Sequence, residues 1–374
     1  MTTSTPETVR PIVATTRSDT AHQTFLDTKH FPSLDGLRCL AILPVVWHHS
    51  TPWPLEGVLG RGPLGVDLFF AISGFLITTL LLRESDHTGS ISLSGFYARR
   101  SLRIFPLYYA MLLLYVAWAW FGLDAGPQRS HFFDSLPAYA TYTSNWLVNF
   151  DVPHPVLFAF SWSLATEEQF YLVWPWLLRA SRRKWLPVLF MVAALVVDQS
   201  ANVGLLSQVI DASGLPFRML ASIAGPICLG ALLAHALHHP RGHQVLRAIL
   251  GWKASAPIAL VVLGLLVSQP EPSLIAIHLA MTALVGACCI RTDHGLRAPL
   301  ETRAARYVGT ISYGMYMLHI SAISLAKHVL PSPCPTLATF LLALGITVGL
   351  AHLSYRLCEA PFLQLRHRFR ARRA

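Results

Sequence analysis

The stretch SLDGLRCLAILPVVWHHS, Ser33 to Ser50, is apolar enough through its middle to enter lipid, yet it carries Arg38 near one end and His48 and His49 at the other. Ionisable groups at membrane depth are costly, so each is a candidate functional group until a packing role is found. Arg38 and His49 are eleven residues apart. On a helix that spacing returns to nearly the same face about 16 Å further along the axis. His48 points elsewhere, as a packing or interfacial histidine. Pro44 between them should kink or locally open the helix, and only a protein-lined or wet cavity would tolerate the freed backbone groups.

Composition agrees that lipid is the solvent. Of 374 residues, 53% are hydrophobic and only 13% charged, with a mean hydropathy of +0.47. Soluble domains carry about 25% charged residues, which excludes an ordinary soluble globule. A spanning helix needs about 20 mostly apolar residues. Ten segments qualify, near 36–54, 64–83, 103–122, 156–178, 185–202, 216–237, 254–269, 273–290, 307–328 and 336–360. A Pro-Glu-Pro turn joins the seventh and eighth into a helical hairpin. The expected fold is therefore all-α, a polytopic membrane bundle of about ten transmembrane helices. With the N-terminus inside, all but four of the 29 Lys and Arg residues (Arg61, Arg129, Arg218 and Lys327) fall on the cytoplasmic side. Short cytoplasmic loops collect such residues, so both termini should be cytoplasmic in a multi-pass protein of the cell membrane. The formal charge of +10 then reflects cations held against anionic lipid, not nucleic acid.

Residues 1–30 are polar and read as a disordered cytoplasmic tail, 31–363 as the membrane domain, and 364–374 as a basic cytoplasmic tail. The six cysteines have neither Cys-x-x-Cys nor paired His/Cys spacing for a metal, so packing is their expected role.

Further polar residues interrupt the apolar segments. In SWSLATEEQFYLVWPW, Ser161 to Trp176, Glu167 lies near mid-bilayer at about the depth of His49, and at least one of Glu167 and Glu168 must face the bundle interior. A carboxylate meeting an imidazole at that depth would fix its tautomer and stabilise its protonated form. His319 in GTISYGMYMLHIS is again at mid-depth and either lines the same cavity or packs on a neighbour. Asp67 in GPLGVDLFFAISGFL sits near a helix end, and Gly74 permits close helix approach. In FYARRSLRIFPLYY, Arg100 and Arg103 share a face at i, i+3, a pair suited to phosphate or pyrophosphate as well as to anchoring a loop.

Taken together these motifs resemble the acyltransferase-3 family of integral membrane O-acyltransferases. The resemblance runs from about Phe31 to Phe362. It rests on LDGLR with histidine at R-x10-H spacing (Arg38, His49), GVDLFFAISGFLI, the R-x-x-R of Arg100 and Arg103, WSLATEEQFY, ISYGMYMLH and YRLCEAPF. It implies a ten-helix domain that takes an acyl group, commonly acetyl, from acyl-coenzyme A as donor substrate, with no permanently bound cofactor. The acceptor would be a hydroxyl of a sugar, glycolipid or macrolide. It also implies that His49 is catalytic and that Arg100 and Arg103 help hold the donor, with Arg38 and Glu167 in support. Cys39 stands where glycine is frequent and Thr166 where valine is frequent, and neither change removes a reacting group.

On this reading His49 takes the hydroxyl proton as the alcohol attacks the thioester, Glu167 orients it, and Arg38, Arg100 and Arg103 hold the coenzyme's phosphates. Asp67, Glu168 and His319 bind substrate or support the site. The alternative is a proton-coupled membrane transporter in which the buried His and Glu groups form a relay.

Overall fold

Prolines, glycines and small hydroxyl residues punctuate the apolar runs, and between them the chain is helical. The computed structural model describes residues 17–50, 60–181, 183, 185–330 and 336–369, among which there is no strand. Helix α1 is Arg17–Asp27, α2 Pro32–Ser50, α3 Leu64–Thr88 and α4 Leu93–Phe121. The short α5 (Pro127–Ala140) and α6 (Ser144–Leu147) lead to α7, Ser161–Ala180. Next come α8 (Leu186–Asn202), α9 (Leu215–Ala221), α10 (Gly225–His238), α11 (Pro240–Leu250), α12 (Ser255–Val267) and α13 (Leu274–Ile290). The one-turn α14 (Arg297–Leu300) precedes α15, Arg303–Val329. Finally α16 (Thr336–Ser354) continues through a π-helical turn at Tyr355–Glu359 into α17, Ala360–Leu365.

Local chemistry sets several of these limits. The hydroxyls of Ser92 and Thr302 accept the N–H groups of Gly95 (3.3 Å) and Ala305 (3.2 Å), capping the starts of α4 and α15. Helix α3 stops at Gly89, whose φ of 75° is the left-handed conformation that ends a helix cheaply only with glycine. Contrary to expectation, α2 runs unbroken through Pro44.

The bundle is all-helical and multi-pass in character. Helices α3, α4 and the continuous Thr336–Leu365 are each long and apolar enough to cross a membrane, and α9 with α10 (bent by 45°) and α11 with α12 (bent by 73°) reach that length and apolarity only as bent pairs, the form of a broken span or a re-entrant loop. The bend between α9 and α10 breaks what the sequence reads as one segment over 216–237. Helices α2, α7 and α15 have the length, at 19, 20 and 27 residues, but fall short in hydropathy. Arg38 with the histidines, the paired glutamates, and His319 with two tyrosines pull these three down. The ionisable residues that suggest function thus weaken the membrane signal of their own helices.

Helix α3 lies along α10, and α15 along both α2 and α16. Glycine makes two of these approaches possible. A Cβ at Gly74 would stand 2.2 Å from the Ile227 carbonyl oxygen, and one at Gly309 would stand 1.9 Å from that of Asp35. Backbone cannot retreat as a flexible side chain can, so Gly309→Ala forces α15 away from α2. Overpacking of this kind costs about 1–3 kcal/mol, so a clear drop in the melting temperature of the detergent-purified protein is expected. An unchanged transition would contradict this packing.

The expected disordered tail over 1–30 needs correction. Residues 1–16 lie outside the described residues, but Arg17–Asp27 form α1. Arg83 accounts for its docking, because its guanidinium donates to the carbonyls of Phe25 and Thr28 at 2.6 Å each, just where a helix end leaves acceptors unpaired. It also stacks over the rings of Phe25 and Phe31 at 5.3 and 5.5 Å, and Phe25 is buried. One aromatic anchor and an arginine 55 residues further on therefore order a segment whose composition reads as tail. At the other end of the chain, the basic residues 370–374 lie outside the described residues, as does Cys334; the other five cysteines are free thiols.

Candidate active site

Spacing on three helices builds the site. On α4, Arg100 and Arg103 share a face, and Arg38 projects from α2. On α7, Ser163, Glu167 and Tyr171 follow one another at i, i+4 and so form a polar stripe. These elements bring Arg38, Arg100, Arg103 and Ser73 together as common walls of a vestibule of about 480 Å³ and of a narrower inner pocket of about 90 Å³. The vestibule is strongly cationic, since Lys29, Arg83, Arg99 and Arg366 also line it, against Asp35, Glu84 and Glu359.

The three arginines are held differently. Arg100 lies 3.4 Å from Glu167 and 3.9 Å from Glu168, with its guanidinium 3.7 Å from the centre of the Tyr171 ring. Arg38 pairs with Asp35 one turn earlier at 3.1 Å. Arg103 makes no hydrogen bond or ion pair among the described residues, although Glu359 is near enough to act on it electrostatically. A guanidinium that lines a cavity without a partner is ready to take an anion, and its planar fork suits phosphate.

The inner pocket ends at Ser163 and Tyr316, whose hydroxyls are 2.6 Å apart; Tyr316 also donates to the Phe160 carbonyl. Behind Tyr316 stands His319, with ring centres 5.5 Å apart, and against His319 stands His49 at 4.9 Å. Each imidazole is tied to its own helix, Nδ1 of His49 to the Val45 carbonyl at 2.9 Å and Nδ1 of His319 to that of Tyr316 at 2.6 Å. A carbonyl oxygen only accepts, so Nδ1 carries the proton in both rings. In the neutral tautomer that leaves the lone pair on Nε2, where a base needs it. Nε2 of His319 is buried without a partner among the described residues.

Most of the residues singled out from sequence gather here, but not in the arrangement expected. Glu167 does not meet His49. It accepts from Ser73, Tyr171 and Arg100, so it is committed to the arginine side, and the backbone carbonyl of Val45 orients His49 instead. Glu168 faces the same guanidinium. Asp67 lies elsewhere, 3.3 Å from Nε2 of His278 on α13. His48 is buried, in keeping with a packing histidine. Sequence reasoning passed over Ser73, Ser163, Tyr171 and Tyr316. Tyr171 and Ser163 stand one turn either side of Glu167, and Tyr316 stands three residues before His319, so helical spacing could have found three of the four. Ser73 is an ordinary serine within an apolar run and gives no such signal.

Comparison with known proteins supplies an independent line. The chain is 30% identical to the peptidoglycan O-acetyltransferase OatA of Listeria monocytogenes over 358 residues, covering 89% of this chain and 56% of that one. It is 30% identical over 360 residues to a Bacillus subtilis protein, YrhL, provisionally named a peptidoglycan O-acetyltransferase, covering 89% of this chain and 55% of the relative. A provisionally named O-acetyltransferase of Staphylococcus aureus is 28% identical over 360 residues, with coverage of 89% and 57%. The chain thus spans a little over half the length of these curated relatives. No solved structure matches it. A family model described as an acyltransferase domain matches residues 31–356, which include every residue of the inner pocket and both paired histidines, and the chain belongs to the acyltransferase-3 family.

Proposed function

We propose that the protein is an integral membrane O-acyltransferase that moves an acetyl group from acetyl-coenzyme A to a hydroxyl of a carbohydrate, with His49 as the general base. The observation that carries this reading is the convergence of Arg38, Arg100 and Arg103 on one cavity that Tyr316 also lines, with His319 against Tyr316 and His49 against His319. The names of the relatives support acetyl as the group and a cell-wall glycan as the class of acceptor. In this reading the chain crosses the membrane ten times over residues 31–363 with both termini cytoplasmic, and the vestibule opens toward the cytoplasm, where the donor is made.

The chemistry follows from the arrangement. The coenzyme's phosphates rest on Arg103 and its two neighbours, and the pantetheine arm runs down the inner pocket. The arm has to part the Ser163–Tyr316 hydrogen bond before the thioester can meet His49. Nε2 of His49 takes the hydroxyl proton as the alcohol oxygen bonds to the acetyl carbon. The carbon–sulfur bond breaks, and the thiolate leaves and recovers that proton from the imidazolium. Oxygen acetylation and release of free coenzyme A thus balance without a co-reactant. Glu167 and Glu168 hold Arg100 in place, and His319 packs against the working imidazole.

Donor dependence tests the reading. Arg103→Ala removes one charge-assisted contact worth about 1.5–3 kcal/mol, so the apparent KM for acetyl-coenzyme A should rise roughly tenfold or more. An unchanged KM in the purified, folded variant would remove the phosphates from this cavity.

A further inference from the structure

On the far side of Phe70 from the arginines lies a second cavity, of about 1040 Å³, walled by α3, α6, α7, α8, α9, α10 and α13. Phe70 is the one residue that lines both this chamber and the inner pocket. The geometry points to this chamber as the binding site of the acceptor, a short neutral oligosaccharide, set back to back with the donor cavity across one phenyl ring. This inference rests on the acyl-transfer reading above and names the second substrate's place.

The lining carries the chemistry that a sugar needs. Trp162 and Phe150 expose about two fifths of their surface (38% each) while lining the chamber, and Trp162 meets Phe70 edge-on at 6.4 Å. Such rings offer flat apolar faces to the C–H side of a pyranose. Hydrogen-bonding side chains share the lining with them. Asp67 Oδ2 takes the Nε2 proton of His278 at 3.3 Å, so Nδ1 of that buried imidazole is left as an acceptor, and it has no partner among the described residues. A hydroxyl is the natural donor to such a nitrogen, whereas an anion would meet the Asp67 carboxylate. Arg218 on α9, with no partner among the described residues, supplies a single exposed cation. One cation against two carboxylates, Asp67 and Asp198, suits a neutral polar ligand better than a phosphate. The volume sits at the upper end of the roughly 300–1,000 Å³ usual for ligand sites, so the chamber has room for more than one sugar ring.

The test uses the full chain in lipid nanodiscs with tetra-N-acetylchitotetraose as the probe, followed by calorimetry. The expected result is saturable binding that weakens about tenfold or more in both Trp162→Ala and His278→Ala, the latter through a lost hydrogen bond in a desolvated site. Where His278→Ala fails to fold, His278→Gln, which keeps a polar side chain in its place, substitutes for it. Affinity for coenzyme A should be the same in all these proteins. Absence of saturable binding by the unmodified protein, or equal affinity in the variants, would overturn the inference. The donor reading fails separately, through loss of coenzyme A binding by the unmodified protein while saccharide binding persists.

Discussion

Replacing His49 with alanine is expected to lower acetyl transfer by about 10²–10⁴-fold, the usual contribution of a positioned general base, while binding of coenzyme A is retained. Donor binding and proton abstraction separate because the groups responsible are separate. The arginines line the cavity, whereas His49 stands beyond Tyr316, tied to α2 by the Val45 carbonyl. The comparison that matters is therefore kcat against donor affinity in one preparation. A loss confined to donor affinity would assign His49 to binding, and transfer at the unmodified rate would remove it from the chemistry. His319→Ala should have a smaller effect, since its imidazole is fully enclosed and reaches the reaction only through contact with His49.

Arg100→Ala is expected to damage the protein itself. Glu167 and Glu168 are both largely buried, and Arg100 is the cation within 4 Å of each among the described residues. Removing one partner of a buried ion pair costs about 3–5 kcal/mol because the charge left behind is uncompensated. Residual solvent access at this site puts the expected loss toward the lower end of that range. Arg100→Lys should restore only part of it, because an ammonium cannot reproduce the stacking on Tyr171 together with the spread of contacts to two carboxylates. Arg100→Met combined with Glu167→Gln leaves one uncompensated carboxylate, Glu168, in place of two and should regain part of the stability lost in Arg100→Ala, without regaining donor affinity. Thermal unfolding of the four proteins in detergent decides this. Equal midpoints would show that Arg100 is held for the ligand alone.

The sequence made the helical class, the lipid environment and the two arginine-bearing helices legible, because charge and hydropathy along the chain report on solvent directly. Residue spacing put Arg100 and Arg103 on one face, and the resemblance to the family joined Arg38 to them. Partnership was harder to see. Residue counting puts Glu167 and His49 at one depth, but they lie on helices whose rotation about their axes is set by packing, and packing turned Glu167 toward Ser73 and Arg100. Depth follows from counting residues, whereas azimuth depends on which glycines let which backbones approach, as at Gly74 and Gly309. The docking of α1 was hidden for a related reason, since its anchor, Arg83, belongs to a different helix. The chamber beyond Phe70 assembles from seven helices and no local motif marks it.

The most direct measurement is an experimental structure of the protein with a non-hydrolysable acetyl-coenzyme A analogue. Phosphate density on Arg38, Arg100 and Arg103, an opened Ser163–Tyr316 contact, and the thioester mimic close enough to Nε2 of His49 for a hydroxyl to sit between them is the expected result. An analogue bound with its phosphates elsewhere, or with its acyl end stopped on the arginine side of a closed Tyr316, would contradict the role given to His49.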